Sequence, residues 1–330
     1  MLISRPQIDL AQWDELISRS PQSVIYAQSF YLDIVCQDWQ ALICSCNGLY
    51  EIVMPVPLRR KLGCTLVYQP LFCQFLGIFS LGELTFTQAE TFVKSLSRHF
   101  PFISVYCFNP ENTALLAPFL YNYSKLKSAV LTTQWLDLSK NYEMVSGSYS
   151  ADRQANLQKS LGEDWTIVSF NNIHPLIDLF AKNHAERIPG GVNNAAYCTL
   201  EALFNQLCKR GLTQLRYAHK NGVIHAGALL VKCGSRVIYL FNAADEEGRS
   251  GNARTFLLDQ YFRQQCEKDL HFDFESPEKE SIMHYYKSFG GKSVPFFRIA
   301  QNKLPFPLKQ IHQLRKLWIQ NHSISFRKPL

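Results

Sequence analysis

Two Asn-Gly pairs, Asn47-Gly48 and Asn221-Gly222, stand 174 positions apart in a chain of 330 residues, and each joins two apolar, alternating stretches. Asn-Gly between such stretches is the strongest short signal for a tight β-hairpin, because both central residues must adopt positive φ. The same hairpin half a chain apart predicts that one order of elements is used twice.

The second half supports this by periodicity. WTIVSF (165–170) alternates as a strand, and helical spacing runs over 174–187 and 200–210. TQLRYAH (213–219), VIHAGALLVK (223–232) and RVIYLFNA (236–243) make a three-strand meander. ADEEGRSGN is expected to be a loop, TFLLDQYFRQQC (255–266) a helix, LHFDFE (270–275) a strand, 278–288 a short helix opened by Pro277, and VPFFRI (294–299) a last strand. The first half offers nearly the same list: MLIS, helices near 9–19 and 28–37, WQALICSC (39–46), LYEIVMPVPL (49–58), CTLVYQ (64–69), a helix over 87–100, FISVYCF (102–108), a helix near 111–121, and AVLTTQWLDL (129–138). Chance errors would not repeat an order, so β-α-α-β-β-β-α-β-α-β twice predicts an α/β protein with mixed sheets in two tandem domains. The expected boundaries are 1–150, 151–300 and a basic tail, 301–330.

Composition narrows the class. An apolar fraction of 47% against 18% charged residues is that of a chain able to build cores. No apolar run approaches the roughly 18 residues of a membrane span, and the opening MLISRPQIDLAQWDEL has neither a basic start nor the apolar block of a secretory leader. A cytoplasmic location is expected. The ten cysteines form no C-x-x-C pair and no zinc spacing, so no metal is expected. His184-Ala185-Glu186 matches the H-x-E of zinc deaminases, but the P-C-x-x-C that completes their metal site is missing. Six of the 34 basic residues (Lys303, Lys309, Arg315, Lys316, Arg327 and Lys328) fall in the last thirty positions with no acid among them, leaving 28 against 27 acids in the rest. Such a tail suits RNA phosphates, anionic lipid or a solvated face. Leu308, Ile311, Leu314 and Trp318 give it one apolar helical face, which favours packing on a domain.

Three stretches carry a resemblance: Gly248-Arg249-Ser250-Gly251-Asn252-Ala253 before a helix, Tyr285-Tyr286-Lys287-Ser288-Phe289-Gly290 near the end of the repeat, and ADRQANLQKSLG (151–162) between the halves. With the element order, they resemble the GNAT acyltransferase fold in tandem, as in FemAB-type aminoacyltransferases and related bacterial GNAT proteins; PVPLRRKLGCTLVYQPLFCQFLGIFS (55–80) is similar to the N-terminal half of such proteins. The resemblance implies a β-bulge and splayed central strands that admit the donor's arm. It also implies a glycine loop whose amides, at a helix N-terminus, hold a pyrophosphate. Gly251, Asn252, Ala253 and Arg254 would bind the cofactor on that reading. The family's first loop position is Gln or Arg; here it is Gly248, preceded by Glu246 and Glu247, which favours an aminoacyl-tRNA or an unusual donor over acyl-CoA.

The run Tyr286-Lys287-Ser288-Phe289-Gly290 fits two family patterns. In GNAT enzymes a Tyr here protonates the departing thiolate; in FemAB-type enzymes a Lys here serves acyl transfer. Aminolysis needs a neutral amine, charge stabilisation at the carbonyl oxygen and a proton for the leaving group. Tyr286 and Lys287 are therefore the expected catalytic pair, with Asp245 as the amine's base and Asn242 orienting a substrate carbonyl. Period two in HFDFE puts His271, Asp273 and Glu275 on one face and Phe272 and Phe274 on the other. Residues 182–197 have the composition of a loop able to bend around a ligand. Within it, His184 and Glu186 could relay a proton and Arg187 could hold a carboxylate or phosphate. Arg153 and Lys159 would meet a phosphate-bearing acceptor.

The function expected is N-acyl transfer: an acyl or aminoacyl group moves from an acyl-CoA or aminoacyl-tRNA donor to a small-molecule amine or a cell-wall precursor. The second domain would hold the chemistry and the first would shape the acceptor cleft. The alternative is a tandem GNAT-like binding module without catalysis.

Overall fold

A computed structural model describes residues 1–61, 63–188, 190–276, 279–306 and 310, the side chains of Lys61 and Arg187 excepted. Pro277, expected to open a helix, lies outside the described residues, as do Leu308, Lys309, Ile311, Leu314, Arg315, Lys316, Trp318, Arg327 and Lys328 of the tail.

In chain order the elements are β1 (Leu2–Ser4), α1 (Leu10–Arg19), α2 (Ser29–Val35), β2 (Asp38–Cys46), β3 (Leu49–Lys61), β4 (Cys64–Val67), β5 (Phe79–Ser80), α3 (Phe86–His99), β6 (Phe102–Cys107), α4 (Thr113–Asn122) and β7 (Lys127–Asp137). There follow α5 (Tyr142–Gly147), α6 (Ala151–Leu161), β8 (Thr166–Val168), α7 (His174–Asn183), α8 (Asn194–Lys209), β9 (Thr213–Lys220), β10 (Val223–Cys233), β11 (Arg236–Ala244), α9 (Glu246–Ser250), α10 (Ala253–Gln265), β12 (His271–Asp273), α11 (Glu280–Lys287) and β13 (Lys292–Asn302). Both Asn-Gly pairs form the expected turns, with φ of 51° and 82° at Asn47-Gly48 and 51° and 83° at Asn221-Gly222. Two expectations fail locally. Residues 246–250, read as loop, make the short helix α9, because the Asp245 carboxylate caps it by accepting the Gly248 amide at 2.8 Å. The strand over 270–275 ends at Asp273 and Glu275 turns to φ 50°, although Phe272 and Phe274 still meet in one core with ring centres 4.9 Å apart.

The chain forms two compact units that exchange sequence. One comprises Met1–Gln22, Cys36–Ala129 and the described residues from Phe297 onward; the other comprises Ser23–Val35 and Val130–Phe296. In the first unit, β2 pairs antiparallel with β1 and β3, β3 with β4 and β5, and β4 lies parallel to β6. Residues 298–302 of β13 pair antiparallel with β6. Helix α3 starts in a capping box between Thr85 and Gln88 and buries Ala89, Phe92, Val93 and Leu96, one stripe at helical spacing.

In the second unit β8, β9, β10 and β11 are antiparallel neighbours, β12 joins β11 in parallel, and β12 pairs antiparallel with Trp135–Asp137 of β7. Leu257, Leu258, Tyr261 and Phe262 of α10 pack with Val237, Tyr239 and Phe272 in one core on a single face of this sheet. At Gly227 of β10, an added Cβ would come within 2.9 Å of Leu176 in α7 and of the Tyr217 ring. Glycine there lets α7 approach the strand closely.

Candidate active site

Strand β11 carries a bulge. Leu229 of β10 pairs with Phe241 and Leu230 with Tyr239, so Leu240 has no opposite residue. Its other neighbour, β12, pairs only at Arg236–Ile238 with His271–Asp273. From Tyr239 to Ala244 the strand therefore runs on after β12 has stopped, and the two part. The bulge and the splay expected from the family resemblance are both present.

Five polar side chains gather where the strands part. Arg254, in the first turn of α10, donates Nη1 to Asn242 Oδ1 at 2.9 Å, and its guanidinium lies 5.5 Å over the Tyr285 ring. Among the described residues no carboxylate stands within ion-pair distance of it. Burial works against the Arg254 charge, but the phenols of Tyr285, Tyr239 and Tyr286 outweigh it and hold the pKa above the ordinary arginine value. Tyr286 is 6% exposed, stacks on Phe274 at 5.0 Å and meets Tyr239 edge-on at 5.9 Å. Burial pushes its phenol up to about 12, while the adjacent Arg254 charge and a hydrogen bond with the Asn242 side chain pull the other way. The hydroxyls of Tyr239 and Tyr285 are buried with no hydrogen-bond partner among the described residues. Buried hydroxyls left unpaired are rare and point to a missing polar partner. An oxygen-rich group entering the splay would supply one.

The glycine loop is built differently from a phosphate cradle. The Gly248 amide goes to Asp245 Oδ1, Arg249 to the Asp245 carbonyl at 3.0 Å, Gly251 to the Glu247 carbonyl at 2.8 Å and Asn252 to the Arg249 carbonyl at 3.3 Å. Packing accounts for the glycines: a Cβ on Gly248 would stand 2.2 Å from the His225 carbonyl oxygen, and one on Gly251 would stand 2.6 Å from Trp165. Trp165 Nε1 also donates to the Gly251 carbonyl at 2.9 Å. The turn thus engages its own amides at those four positions and sets Glu246 and Glu247 beside it. Asn252 is left-handed at φ 55°, and Ala253 then begins α10.

The other expected residues are dispersed. Arg153 is 4% exposed; its Nε donates to Ser288 Oγ at 3.0 Å, its Nη1 to Thr255 Oγ1 at 2.5 Å, and it lies over the Tyr285 and Phe289 rings. Burial lowers its pKa. It ties α6 to the start of α10 and the end of α11 and does not face solvent, whereas Lys159 is exposed. Lys287 is exposed in the last turn of α11; its carbonyl accepts the Gly290 amide at 3.0 Å, and its ammonium has no hydrogen bond or ion pair among the described residues. Asp245 is engaged twice, capping α9 through Oδ1 and meeting His225 Nδ1 through Oδ2 at 2.9 Å. His184 ends α7, stacks on Phe180 and places Nε2 3.0 Å from the Ala244 carbonyl oxygen. Glu186 is exposed in a 3₁₀ turn, and the Arg187 side chain lies outside the described residues. Among the described residues there is no group of three or more His, Cys, Asp or Glu able to hold a metal ion.

Residues 151–287, which contain this whole constellation, match the family model described as an acetyltransferase (GNAT) domain. They form a GNAT domain. No curated protein matches the chain in sequence. Among solved structures the chain is similar to FemX, at 13% identity, a TM-score of 0.63 and coverage of 92% of this chain and 98% of that one. It is also similar to a tandem GNAT protein from the clavulanic acid biosynthesis pathway (11% identity, TM-score 0.53, 92% and 99% covered). A third likeness is to the C-terminal domain of a protein named as a lysylphosphatidylglycerol synthetase from Agrobacterium fabrum (11%, 0.51, 89% and 92%). At these identities the likeness is one of fold, and the fold is the tandem GNAT arrangement. No described helix is long and apolar enough to cross a membrane.

The sequence reading placed Glu275 on a face of its strand but gave it no role. Glu275, just past β12 and half-buried, accepts a hydrogen bond from the Tyr26 hydroxyl at 2.7 Å. Burial raises its carboxyl to about 8, helped by the Asp273 charge and opposed by the Tyr26 hydrogen bond. Asp273, buried and bonded to Thr133 Oγ1 at 2.7 Å, is raised as well, first by burial. The alternation in HFDFE drew attention to Glu275, but its partner lies 249 positions earlier and the left-handed backbone at Glu275 leaves no local mark.

Proposed function

We propose that this protein is an N-acyltransferase whose chemistry takes place where β11 and β12 part, with Arg254, Asn242 and Tyr286 as the central group. The observation that carries this reading is the pair of buried hydroxyls, Tyr239 and Tyr285, with no hydrogen-bond partner among the described residues, beside a guanidinium held by an amide. A carbonyl oxygen that becomes negative during aminolysis is the partner such a group suits.

In the proposed reaction an amine nitrogen attacks the carbonyl carbon of an activated donor, forming C–N while the C–S or C–O bond to the leaving group breaks. Arg254 offsets the charge on the carbonyl oxygen and Asn242 keeps the guanidinium in place. Tyr286, still protonated at neutral pH, gives its proton to the departing thiolate or alkoxide. The Glu275 carboxylate takes the amine's proton, and solvent restores Tyr286. Arg153 acts as a positioning residue through Thr255 and Ser288. Lys287 and Asp245 remain proposed participants in proton and charge handling, and His184, Glu186 and Arg187 in acceptor binding.

The donor proposed is aminoacyl-tRNA or an acyl thioester, acyl-CoA included, and the acceptor a small amine or a cell-wall precursor. The engaged glycine-loop amides favour a donor held by contacts other than a pyrophosphate cradle. Residues 151–300 are proposed to hold the chemistry. A second reading, binding without reaction, is favoured by the same engaged amides and the acids beside them.

Incubating the protein with a panel of acyl-CoAs and charged tRNAs plus amine acceptors, read by mass spectrometry, tests the choice. A product whose formation is lost with Arg254→Met supports transfer. Donor or acceptor binding without any product from the whole panel supports the binding reading instead.

A further inference from the structure

We propose a separate site: the first unit binds a phosphate-bearing anion in a basic cavity between α3, the end of α4 and the residue that follows β13. The cavity, of about 430 Å³, is lined by Lys94, Ser97, Arg98, Tyr123, Lys125 and Lys303. Four of the six are cations and none is an acid. That volume lies within the roughly 300–1,000 Å³ typical of small-molecule sites. The inference does not depend on acyl transfer.

Charge balance distinguishes this place from an ordinary solvated face. Lys94 is paired with Glu90 at 3.0 Å, one turn earlier on α3. Arg98 and Lys125 have no ion pair among the described residues. Lys303 points its ammonium at Ser97, 3.3 Å from the carbonyl oxygen and 3.1 Å from Oγ, where it also satisfies the carbonyl end of α3. The helix end accounts for that one cation and not for Arg98 or Lys125. Like charges facing one concavity repel, and low-dielectric walls strengthen the field that draws in an anion.

The floor is fixed by buried polar bonds. Ser97, 3% exposed, donates Oγ to Gln301 Oε1 at 2.6 Å, and the Gln301 amide, 4% exposed, donates to the carbonyls of Ser97 and Phe100 at 3.0 and 2.8 Å. This network holds Lys303 against α3. Tyr123, also in the lining, stacks on Phe119 with ring centres 4.5 Å apart. Several convergent cations with a forked guanidinium suit a multiply charged phosphate better than a single carboxylate. The phosphate could belong to a free diphosphate or to a lipid headgroup; the chemistry of recognition is shared.

The test uses the full chain at low salt. Calorimetric titration with inorganic pyrophosphate, and in parallel sedimentation with phosphatidylcholine vesicles with and without phosphatidylglycerol, separates the two sources. Saturable one-to-one binding of pyrophosphate, weakened at least tenfold by Arg98→Ala with Lys125→Ala and retained by Lys125→Arg, supports the site with a free phosphate. Vesicle binding that needs phosphatidylglycerol and fails in the same double variant supports it with a lipid headgroup. Absence of both, or an equal loss on replacing Lys140, an exposed lysine of the second unit, by Ala, overturns the proposal.

Discussion

Arg254 and Asn242 stand 2.9 Å apart, the guanidinium of one donating to the side-chain oxygen of the other, although one begins α10 and the other lies near the end of β11. An amide partner fixes the direction of a guanidinium without cancelling its charge. The charge stays available to a group that becomes negative in the splay.

Replacing Arg254 by Met is expected to lower turnover by about 10²-fold, the usual loss when one stabiliser of a developing oxyanion is removed. Lysine, which cannot fork between Asn242 and a substrate oxygen, is expected to restore only part of it. Single-turnover product formation, followed by mass spectrometry beside a thermal melt, separates this from loss of fold.

Tyr286→Phe removes a hydroxyl that burial keeps protonated up to about 12. Turnover should fall at least tenfold for ordinary thioester or ester donors. Donors whose leaving group departs without a proton, such as activated aryl esters, should lose far less. Equal losses across both donor types would remove the proton from the role of Tyr286. Lys287→Ala in the same series tests whether the exposed ammonium takes part.

Glu275 sets an expected pH dependence. Its carboxyl is raised from 4.5 to about 8, so between those values the folded chain keeps a proton that the unfolded chain has released. The stability it contributes is complete below about pH 4.5 and is lost as pH rises towards 8. Asp273 is shifted in the same direction and adds to the decline. Denaturant titrations across this range should show a shallower fall in Glu275→Gln. The same carboxyl, charged only above about 8, should give the wild-type rate a rising alkaline limb that the Gln variant lacks.

Gly251→Ala is expected to cost about 1–3 kcal/mol, because the new methyl meets Trp165 at 2.6 Å while the backbone, at φ −86°, is unstrained. Gly248→Ala should cost as much or more, since the obstructing atom is a backbone oxygen. Urea unfolding followed by tryptophan fluorescence measures both. A fully stable Gly251→Ala protein would return the glycine to a ligand-binding explanation.

Much of the fold was legible because short-range chemistry controls it. The Asn-Gly turns, the stripe Ala89, Phe92, Val93 and Leu96 on α3, and the order of strands and helices all follow from spacing and turn residues. The site was legible only in part. Tyr286, Asn242 and Arg254 gather where β11 and β12 part, while Asp245 also caps α9 and meets His225, and Arg153 bonds Thr255 and Ser288. A capping carboxylate and a catalytic one look alike in one dimension, since the partner that decides between them is a backbone amide or a distant side chain.

By itself the sequence determined most of the helices and strands and where the chain reverses at its two Asn-Gly turns, because hydrophobic period and turn geometry act over a few residues. Only the tertiary structure decided that residues 23–35 pack into the second unit, that β11 outruns β12, and that Tyr26 meets Glu275 across 249 positions. Periodicity records that a side chain faces a core; it carries no information on which core, or on the polar partner waiting there.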